Sequence, residues 1–285
     1  MTFASTVRDS INKYKAEVSV RVSGDSKSYR VVGDERIPED LKLQRVTGIL
    51  NIIEKEGLRL WAMNQALDYV RENIVSLPSP DFKGGTVMLP INYGKQLDDL
   101  LEQAAKAHEE KRDTAADYGT EAHALLEHLI INTDTAVPSK FQPVVDAWTE
   151  WLDTSDLEIV GTEVPLYYNV GGIAYAGTCD VLAVDKDDNF VICDYKTGKK
   201  MYREYALQMA AYAMALEFCI DVPVTSKVRA FIVKLPKEEG TDPEIREVAH
   251  LAEQQDTFID ACKLKLWSSR RDKLLPKRKK SAVRP

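Results

Sequence analysis

The spacing of apolar residues changes along the chain and separates extended segments from helical ones. Residues 16–33 alternate short Val and Ser runs around two Gly-Asp pairs, which predicts a small β-hairpin. Across residues 46–75 the apolar positions follow helical spacing with an interruption at Gly57, so two helices joined by a turn are expected. Residues 77–94 are rich in Pro and Gly and predict a loop.

The pattern in the rest of the chain predicts a sheet with helices beside it. A polar helix is expected near residues 96–113 and an amphipathic helix near residues 117–131. The predicted strands are 158–168, 174–184, 190–196 and 227–234, and the later predicted helices are 203–218 and 244–267. Together these elements predict an α/β fold in which a mixed central sheet is flanked by helices, with an N-terminal helical elaboration.

The composition of the 285 residues excludes two broad classes of protein. Hydrophobic residues make up 44% of the chain, which is too many for a disordered protein. The longest apolar stretch, residues 206–220, contains Gln208 and Glu217 and is shorter than the roughly 20 apolar residues of a bilayer span. The first thirty residues hold no continuous apolar segment of a secretory signal, so a cytoplasmic location without a membrane partner is expected.

Charge is distributed unevenly along the chain. The net charge is −7, but residues 266–285 carry eight basic side chains against Asp272 alone, so this end has a charge of +7 and the rest −14. Such an end is either a solvated tail or a segment that attracts phosphates without reading sequence. The predicted organisation is an elaboration over residues 1–94, a core over residues 95–268 and a basic tail over residues 269–285.

The cysteines give no sign of a disulfide framework or of a bound cluster. The chain contains no CxxC pair and no cysteine spacing typical of a metal site. The four residues are Cys179, Cys193, Cys219 and Cys262. Reduced, buried thiols are the simplest interpretation.

Two acidic residues flank a predicted hairpin. If this hairpin is symmetric about Asp187, Asp180 faces Asp194 across the strands, with Cβ atoms about 4.5 to 5.5 Å apart. Like charges at this distance are destabilising unless a cation lies between them, and carboxylate oxygens suit Mg²⁺ or Mn²⁺. The strand period places Lys196 on the face of Asp194, where an ammonium group can orient or deprotonate a metal-bound water. The alternative is an ordinary Asp-Lys pair on an exposed face.

A histidine lies at the rim of the predicted helix 117–131. Its apolar residues recur at positions 122, 125, 126, 129 and 130, which is typical of a helix lying on a core. His123 falls at the edge of that stripe and can point toward a neighbouring element. His128 lies about 140° around the helix from His123, so the two cannot form a zinc-protease pair. A structural histidine remains the alternative.

A second pair of polar residues lies on the helix after the lysine strand. Gln208 and Tyr212 are one helical turn apart, so both side chains can be directed at one place. Such a pair can hold a phosphate or a catalytic lysine, although Gln and Tyr on a helix also form ordinary surface pairs.

Taken in order, these motifs resemble the RecB-like branch of the PD-(D/E)XK nuclease superfamily, and within it the phage-encoded and mitochondrial genome maintenance exonucleases. The four motifs are Gly119-x-x-x-His123, Gly177-x-x-Asp180, Asp194-Tyr-Lys196 and Gln208-x-x-x-Tyr212. Upstream segments also fit, and these are Arg45-Val-Thr47-Gly-Ile-Leu and Gly57-Leu-Arg-Leu-Trp61. The resemblance covers about residues 46–234 and implies a restriction-endonuclease-like core.

The resemblance implies a role for each of these residues. His123, Asp180, Asp194 and the backbone carbonyl of Tyr195 would hold Mg²⁺ or Mn²⁺, and Lys196 would assist the attacking water. Gln208 and Tyr212 would support the site or contact the DNA backbone. Glu163, at the start of Glu-Val-Pro-Leu-Tyr-Tyr, is either a further metal ligand or an edge residue.

Two departures from the family pattern limit what is carried over. The cysteine quartet of the iron-sulfur branches is missing from the sequence, so no iron-sulfur cluster is expected. Cys179 stands before Asp180 where the superfamily name has proline, a relaxation common in this branch.

The resemblance implies an exonuclease that hydrolyses DNA phosphodiesters to 5′-phosphate products in phage or genome DNA processing, recombination or repair. Its partners would be single-stranded DNA or duplex ends, and a recombinase or single-strand-binding protein. A phage-encoded chain would act in the host cytoplasm. Two alternatives remain, a catalytically silent DNA-binding or recombination-partner module and a nuclease specific for RNA or single strands. Replacing Asp194 or Lys196 by Ala is expected to abolish cleavage while folding stays near normal.

Overall fold

An eight-stranded mixed sheet carries most of the fold. It is seen in a computed structural model, which describes residues 2–22, 28–53, 56–74, 81–83, 86–88, 93–220 and 227–269. The helices are α1 Phe3–Glu17, α2 Val46–Leu50, α3 Glu56–Asn73, α4 Tyr93–Ile131, α5 Gln142–Ser155, α6 Glu204–Cys219 and α7 Leu251–Ser269. The strands are β1 Ser19–Val22, β2 Ser28–Val32, β3 Leu43–Arg45, β4 Asp81–Lys83, β5 Thr86–Met88, β6 Glu158–Val170, β7 Ile173–Val184, β8 Phe190–Lys196, β9 Val228–Lys234 and β10 Glu244–Glu247.

Strand β7 pairs with three other strands of the sheet, β3, β6 and β8. The strand order is β1-β2-β3-β7-β8-β9-β10, and β6 pairs with β7 outside this path. Strand β6 follows one edge of β7, while β3 and β8 share the other edge, β3 at Tyr175 and Ala176 and β8 from Val181 to Val184. The β3–β7 and β8–β9 pairs are parallel and the other pairs are antiparallel. Among the described strands, residues 177–179 of β7 therefore pair with β6 alone.

The β7–β8 hairpin has the predicted register. Val181 pairs with Cys193, and Val184 pairs with Phe190, so the hairpin is symmetric about Asp187. In the turn, Asp185 accepts hydrogen bonds from the backbone N–H groups of Asp187 and Asn189, both 2.9 Å long. This polar turn fixes the register of the hairpin. The register in turn sets the positions along the strands of Asp180 and Asp194, which lie next to the paired segments.

The core forms where helices cover the sheet. Helix α6 is buried around most of its circumference, which is typical of a helix enclosed on several sides. Helices α1, α2 and α7 add buried residues to the same core, such as Ile11, Ile49 and Phe258. Helix α6 nevertheless buries the polar side chains of Glu204 and Gln208, which require partners inside the protein.

The predicted α/β class, with a mixed sheet flanked by helices, is confirmed. The strand at residues 190–196 has the predicted bounds, and the early hairpin is present as β1 and β2. The two helices expected over residues 46–75 are also present, as α2 and α3, although Gly57 lies inside α3.

Several predicted bounds are wrong. Residues 96–113 and 117–131 form one continuous helix, α4, because residues 114–116 between them are Thr-Ala-Ala and contain no helix breaker. Residues 244–247 are strand β10, and helix α7 begins only at Leu251. The predicted loop 77–94 contains strands β4 and β5, and much of its remainder lies outside the described residues. Helices α1 and α5 were not predicted.

The chain divides into two compact units. One comprises residues 1–53 and 122–285, with the large sheet, and the other comprises residues 54–121. Within the second unit, α3 and α4 contact each other, and the Tyr69 hydroxyl donates to Gln103 at 2.5 Å. This division differs from the predicted organisation into 1–94, 95–268 and 269–285, which concerns sequence domains and stays a prediction. In the described part of the chain, the helices are too short or too polar to cross a membrane.

Candidate metal centre

Three side chains from three elements of the sheet-containing unit converge beside strand β7. His123 comes from α4, Glu163 from β6 and Asp180 from β7. One ligand atom of each lies within 4.8 Å of the other two, and Nδ1 of His123 is 3.4 Å from Oδ2 of Asp180. All three residues are half-buried, so the group is enclosed but accessible. Among the described residues, no other group of three such side chains is this close.

Glu163 reaches the group because of the β6–β7 register. Thr162 pairs with Val181 and Val164 with Cys179, so Glu163 lies opposite Asp180. Its backbone has φ 44°, a left-handed conformation that costs a non-glycine residue about 1 kcal/mol or more. The strand therefore bears both backbone strain and two facing carboxylates at this point, and both costs need compensation.

The electrostatics of the group favour the binding of a positive charge. Burial and the neighbouring charge of Asp180 raise the pKa of Glu163 to about 7. Burial lowers the pKa of His123, but the hydrogen bond and charge of Asp180 outweigh it, so the pKa of His123 is raised overall. A divalent cation would relieve both effects, because it favours ionised carboxylates and a neutral imidazole. Two carboxylates and one imidazole are a donor set that fits a divalent metal ion.

Asp194 lies in a different environment, in a buried pair with Lys196. Its side chain is 3% exposed, one carboxylate oxygen contacts the Lys196 ammonium group, and the other accepts a 2.8 Å hydrogen bond from Gln208. Burial raises the pKa of Asp194 to about 6, which leaves the carboxylate ionised at neutral pH. Burial lowers the pKa of Lys196, but Asp194 and Asp180 outweigh it and keep the ammonium group charged.

Gln208 and Tyr212 connect the Asp194–Lys196 pair to strand β7. Nε2 of Gln208 also lies 3.1 Å from the Tyr212 hydroxyl oxygen, so helix α6 holds Asp194 through a short polar chain. The Tyr212 ring packs on β7 at Gly177, where an added Cβ would be 2.6 Å from a ring carbon. The close approach of the tyrosine ring therefore favours glycine at this position.

Tyr195 links the two groups of side chains. Its backbone N–H donates a 2.7 Å hydrogen bond to Oδ2 of Asp180. Its ring makes an edge contact with the His123 ring at 6.0 Å between centroids, and its hydroxyl accepts a 2.7 Å hydrogen bond from Trp148 Nε1. Tyr195 thus contacts both Asp180 and His123. The predicted role of its carbonyl as a metal ligand stays a prediction.

The structure places the predicted residues in two adjoining groups. His123 and Asp180 lie together with Glu163, while Asp194, Lys196, Gln208 and Tyr212 form the buried pair and its support. The sequence left the role of Glu163 open, yet it contains a signal for its position. A two-residue turn at Gly171 and Gly172, both with positive φ, centres a hairpin in which residue 163 faces residue 180.

Comparison with known proteins gives a family match. A model of the PD-(D/E)XK nuclease superfamily matches residues 66–278. A search of curated proteins found no match.

Three solved structures are similar at low identity. SSO0001 has 13% identity over 77% of this chain and 82% of its own, with a TM-score of 0.31. An alkaline exonuclease from Laribacter hongkongensis has 12% identity, covering 54% of this chain and 84% of its own, with a TM-score of 0.28. A candidate exonuclease from Eubacterium rectale has 13% identity, covering 64% and 66%, with a TM-score of 0.28. Because these TM-scores are low, the family assignment rests on the superfamily model alone.

Proposed function

This chain belongs to the PD-(D/E)XK nuclease superfamily, and from this premise we propose that it is a Mg²⁺- or Mn²⁺-dependent deoxyribonuclease that degrades DNA from its ends. The observation that carries the proposal is the group of His123, Glu163 and Asp180 beside a buried Asp194–Lys196 pair. The first group has a donor set for a cation, and the second supplies a charged ammonium group. Together they can support hydrolysis of a phosphodiester by water.

We propose that His123, Glu163 and Asp180 hold the cation, with Asp194 and the Tyr195 carbonyl as further ligands on the basis of the family resemblance. A cation held by these residues would supply Lewis-acid chemistry to the scissile phosphate and to a water. The Tyr195 N–H and the Asp180 carboxylate share a hydrogen bond, which keeps one oxygen of Asp180 oriented.

Lys196 acts as a charged group in this mechanism. Burial lowers its pKa, but Asp194 and Asp180 outweigh burial and favour the charged ammonium form. In that form it orients the attacking water and stabilises negative charge that develops on the phosphoryl oxygens. Gln208 holds Asp194, and Tyr212 in turn contacts Gln208, so the position of the ammonium group is set by helix α6.

The biological setting is proposed from the resemblance alone. The substrate would be single-stranded DNA or duplex ends processed during phage or genome recombination or repair, in the cytoplasm. A recombinase or single-strand-binding protein would be the partner. The basic residues after position 269 would add a salt-sensitive attraction to phosphates.

Time courses on linear DNA test the proposal. Single- and double-stranded substrates labelled at the 5′ or 3′ end are incubated with Mg²⁺, with Mn²⁺ or with a chelator. We expect metal-dependent release of short products from an end, with one label lost first. Cleavage that a chelator leaves unchanged contradicts the metal mechanism. Tight DNA binding without any cleavage supports the silent module instead, and cleavage of RNA alone assigns a different substrate.

A further inference from the structure

Helix α1 contacts strand β6 at three backbone carbonyl groups. Nη2 of Arg8 donates to the Ile159 carbonyl at 3.0 Å, Nζ of Lys15 donates to the Thr162 carbonyl at 2.7 Å, and the Tyr14 hydroxyl donates to the Pro165 carbonyl. Helix α1 precedes the region matched by the superfamily model, which begins at residue 66. These contacts are therefore additions to the matched region.

The contacts bracket the one residue of β6 with a left-handed backbone. Glu163 has φ 44°, and φ is the rotation that relates the Thr162–Glu163 peptide group to the Glu163 side chain. The carbonyl of that peptide group is the acceptor of the Lys15 ammonium group. A hydrogen bond to this carbonyl therefore restrains the peptide plane from which the Glu163 side chain is directed.

Packing holds α1 close to the strand at the same place. Ile11 and Tyr14 of α1 are buried, and a Cβ added at Gly161 would lie 3.3 Å from Cγ2 of Ile11. The β6–β7 register shifts between Ile159 and Gly161, just before the left-handed residue. The irregular part of β6 thus lies directly under α1, which can support it.

Lys15 also brings a positive charge to the acidic group. Its ammonium group interacts electrostatically with Glu127 and Glu163, and Glu163 in turn faces Asp180. The hydrogen bond to the Thr162 carbonyl restrains the backbone before Glu163, and the charge of Lys15 favours the ionised form of Glu163.

We propose that helix α1 is a positioning clamp for the metal centre, in which Lys15, supported by Tyr14, holds the left-handed backbone that brings Glu163 to His123 and Asp180. The inference rests on the proposed function for its account of the cation, and it adds residues that touch neither the ion nor the substrate. Lys15 and Tyr14 are positioning residues and not catalytic ones.

The test measures Mn²⁺ binding to the full chain without DNA, by titration calorimetry. Lys15→Met keeps the side-chain length and removes the ammonium group, and Lys13→Met on the same helix is the matched control. We expect about tenfold weaker Mn²⁺ binding for Lys15→Met and Tyr14→Phe, wild-type binding for Lys13→Met, and recovery in Lys15→Arg. The thermal midpoint of Lys15→Met should remain close to that of the wild type, because Lys15 is exposed.

A double-mutant cycle separates positioning of Glu163 from a general effect. Glu163→Gln weakens Mn²⁺ binding, and adding Lys15→Met to it should cause no further loss, since the clamp acts through Glu163. Additive losses, or wild-type Mn²⁺ binding by Lys15→Met, would overturn the inference. Unchanged binding by Glu163→Gln would overturn it too, even where the wild type cleaves DNA. If the wild type binds Mn²⁺ but cleaves no DNA, the nuclease proposal is refuted. The double-mutant cycle then still tests whether helix α1 positions Glu163.

Discussion

The two acidic groups beside strand β7 differ in how their negative charge is compensated. Around Asp194 the carboxylate is almost fully buried, and the chain supplies both a cation, Lys196, and a hydrogen-bond donor, Gln208. Around Asp180 a second carboxylate, Glu163, lies directly across the strands, and the nearby groups include an imidazole of variable charge. The first group is balanced within the chain, whereas the second accumulates negative charge in an accessible place.

This difference indicates which group is arranged for a ligand from solution. A buried carboxylate with its own ammonium partner contributes to the folded structure, and removing either partner leaves an unpaired buried charge. A half-buried carboxylate pair with backbone strain gains stability when a divalent cation binds. The two groups should therefore respond differently to substitution. Cleavage is lost when either group is changed, but folding stability is lost only when the Asp194–Lys196 pair is broken.

The largest effect is expected on activity, for Asp180→Asn. This change removes charge from the cation group and leaves the Asp194–Lys196 contact in place. Cleavage of labelled linear DNA should fall by at least about 10⁴-fold, roughly 5.5 kcal/mol in barrier, while the urea midpoint stays equal or rises. Asp187→Asn, in the exposed turn of the same hairpin, is the control and should cleave normally. Full cleavage by a folded Asp180→Asn protein would contradict the assignment of Asp180 as a metal ligand.

The next effect is on stability, for Asp194→Ala. Near-normal folding was expected from the sequence, because one of two crowded carboxylates would be removed. The contact of Lys196 with buried Asp194 favours the opposite expectation, since the alanine variant leaves the Lys196 ammonium group, on a side chain that is only 20% exposed, without its partner. The free energy of unfolding should fall by about 3 to 5 kcal/mol.

A second variant shows whether the lost pairing is the cause. Adding Lys196→Met to Asp194→Ala removes the unpaired charge and should restore most of the stability, without restoring cleavage. Equal destabilisation of the single and double variants in urea would show that Asp194 stabilises the fold by some other contact.

The sequence predicted the hairpin of the site well because turns and strand period are local. The loop of residues 185–189 contains the polar residues that close it, so the symmetric register about Asp187 could be derived and is confirmed. The rim position of His123 follows from a helical period in the same way, and Ala122 and Leu126 are buried beside it.

Long-range features could not be derived from these local patterns. Helix α1 reaches its partner strand β6 about 150 residues further along the chain, and its amphipathic pattern does not say which surface it covers. The pairing of Asp194 with Lys196, instead of an arrangement with Asp180 and His123, depends on burial by α6. Glu163 is an intermediate case, since the Gly171-Gly172 turn gives its register but not its left-handed backbone.

A smaller loss of stability is expected for Gly177→Ala, which tests the connection between the two groups. The added methyl would lie 2.6 Å from a carbon of the Tyr212 ring, and that ring is buried and cannot move freely. Overpacking of this kind costs about 1 to 3 kcal/mol, and the displaced ring should also disturb Gln208 and lower cleavage. Gly198→Ala is the control, because nothing lies within 4 Å of its Cβ position. Equal stability of the two variants in urea would contradict the close packing.

The smallest effect is a pH dependence that belongs to Glu163. Its pKa in the folded protein is raised to about 7 from an ordinary value of 4.5, so the folded state holds an extra proton between these pH values. The contribution of Glu163 to the stability of the metal-free protein should therefore fall as pH rises from 4.5 to 7 and become level above it. Asp194, whose pKa is raised to about 6, and His123, whose pKa is also raised, add losses in the same direction, so wild-type data alone do not isolate Glu163.

Comparison with Glu163→Gln isolates the carboxylate. The amide carries no titrating proton. The unfolding free energy of Glu163→Gln relative to that of the wild type, measured with chelator present, should therefore increase between pH 4.5 and 7.5. The increase should be on the order of 1 kcal/mol, because the partial exposure of Glu163 weakens the effect. With saturating Mn²⁺ the wild type should instead gain stability as pH rises, because the cation replaces the proton on Glu163, and the amide should gain less. Parallel pH profiles for the two proteins under both conditions would place Glu163 outside the cation group, and the contrast between the two sides of β7 would then rest on Asp180 and His123 alone.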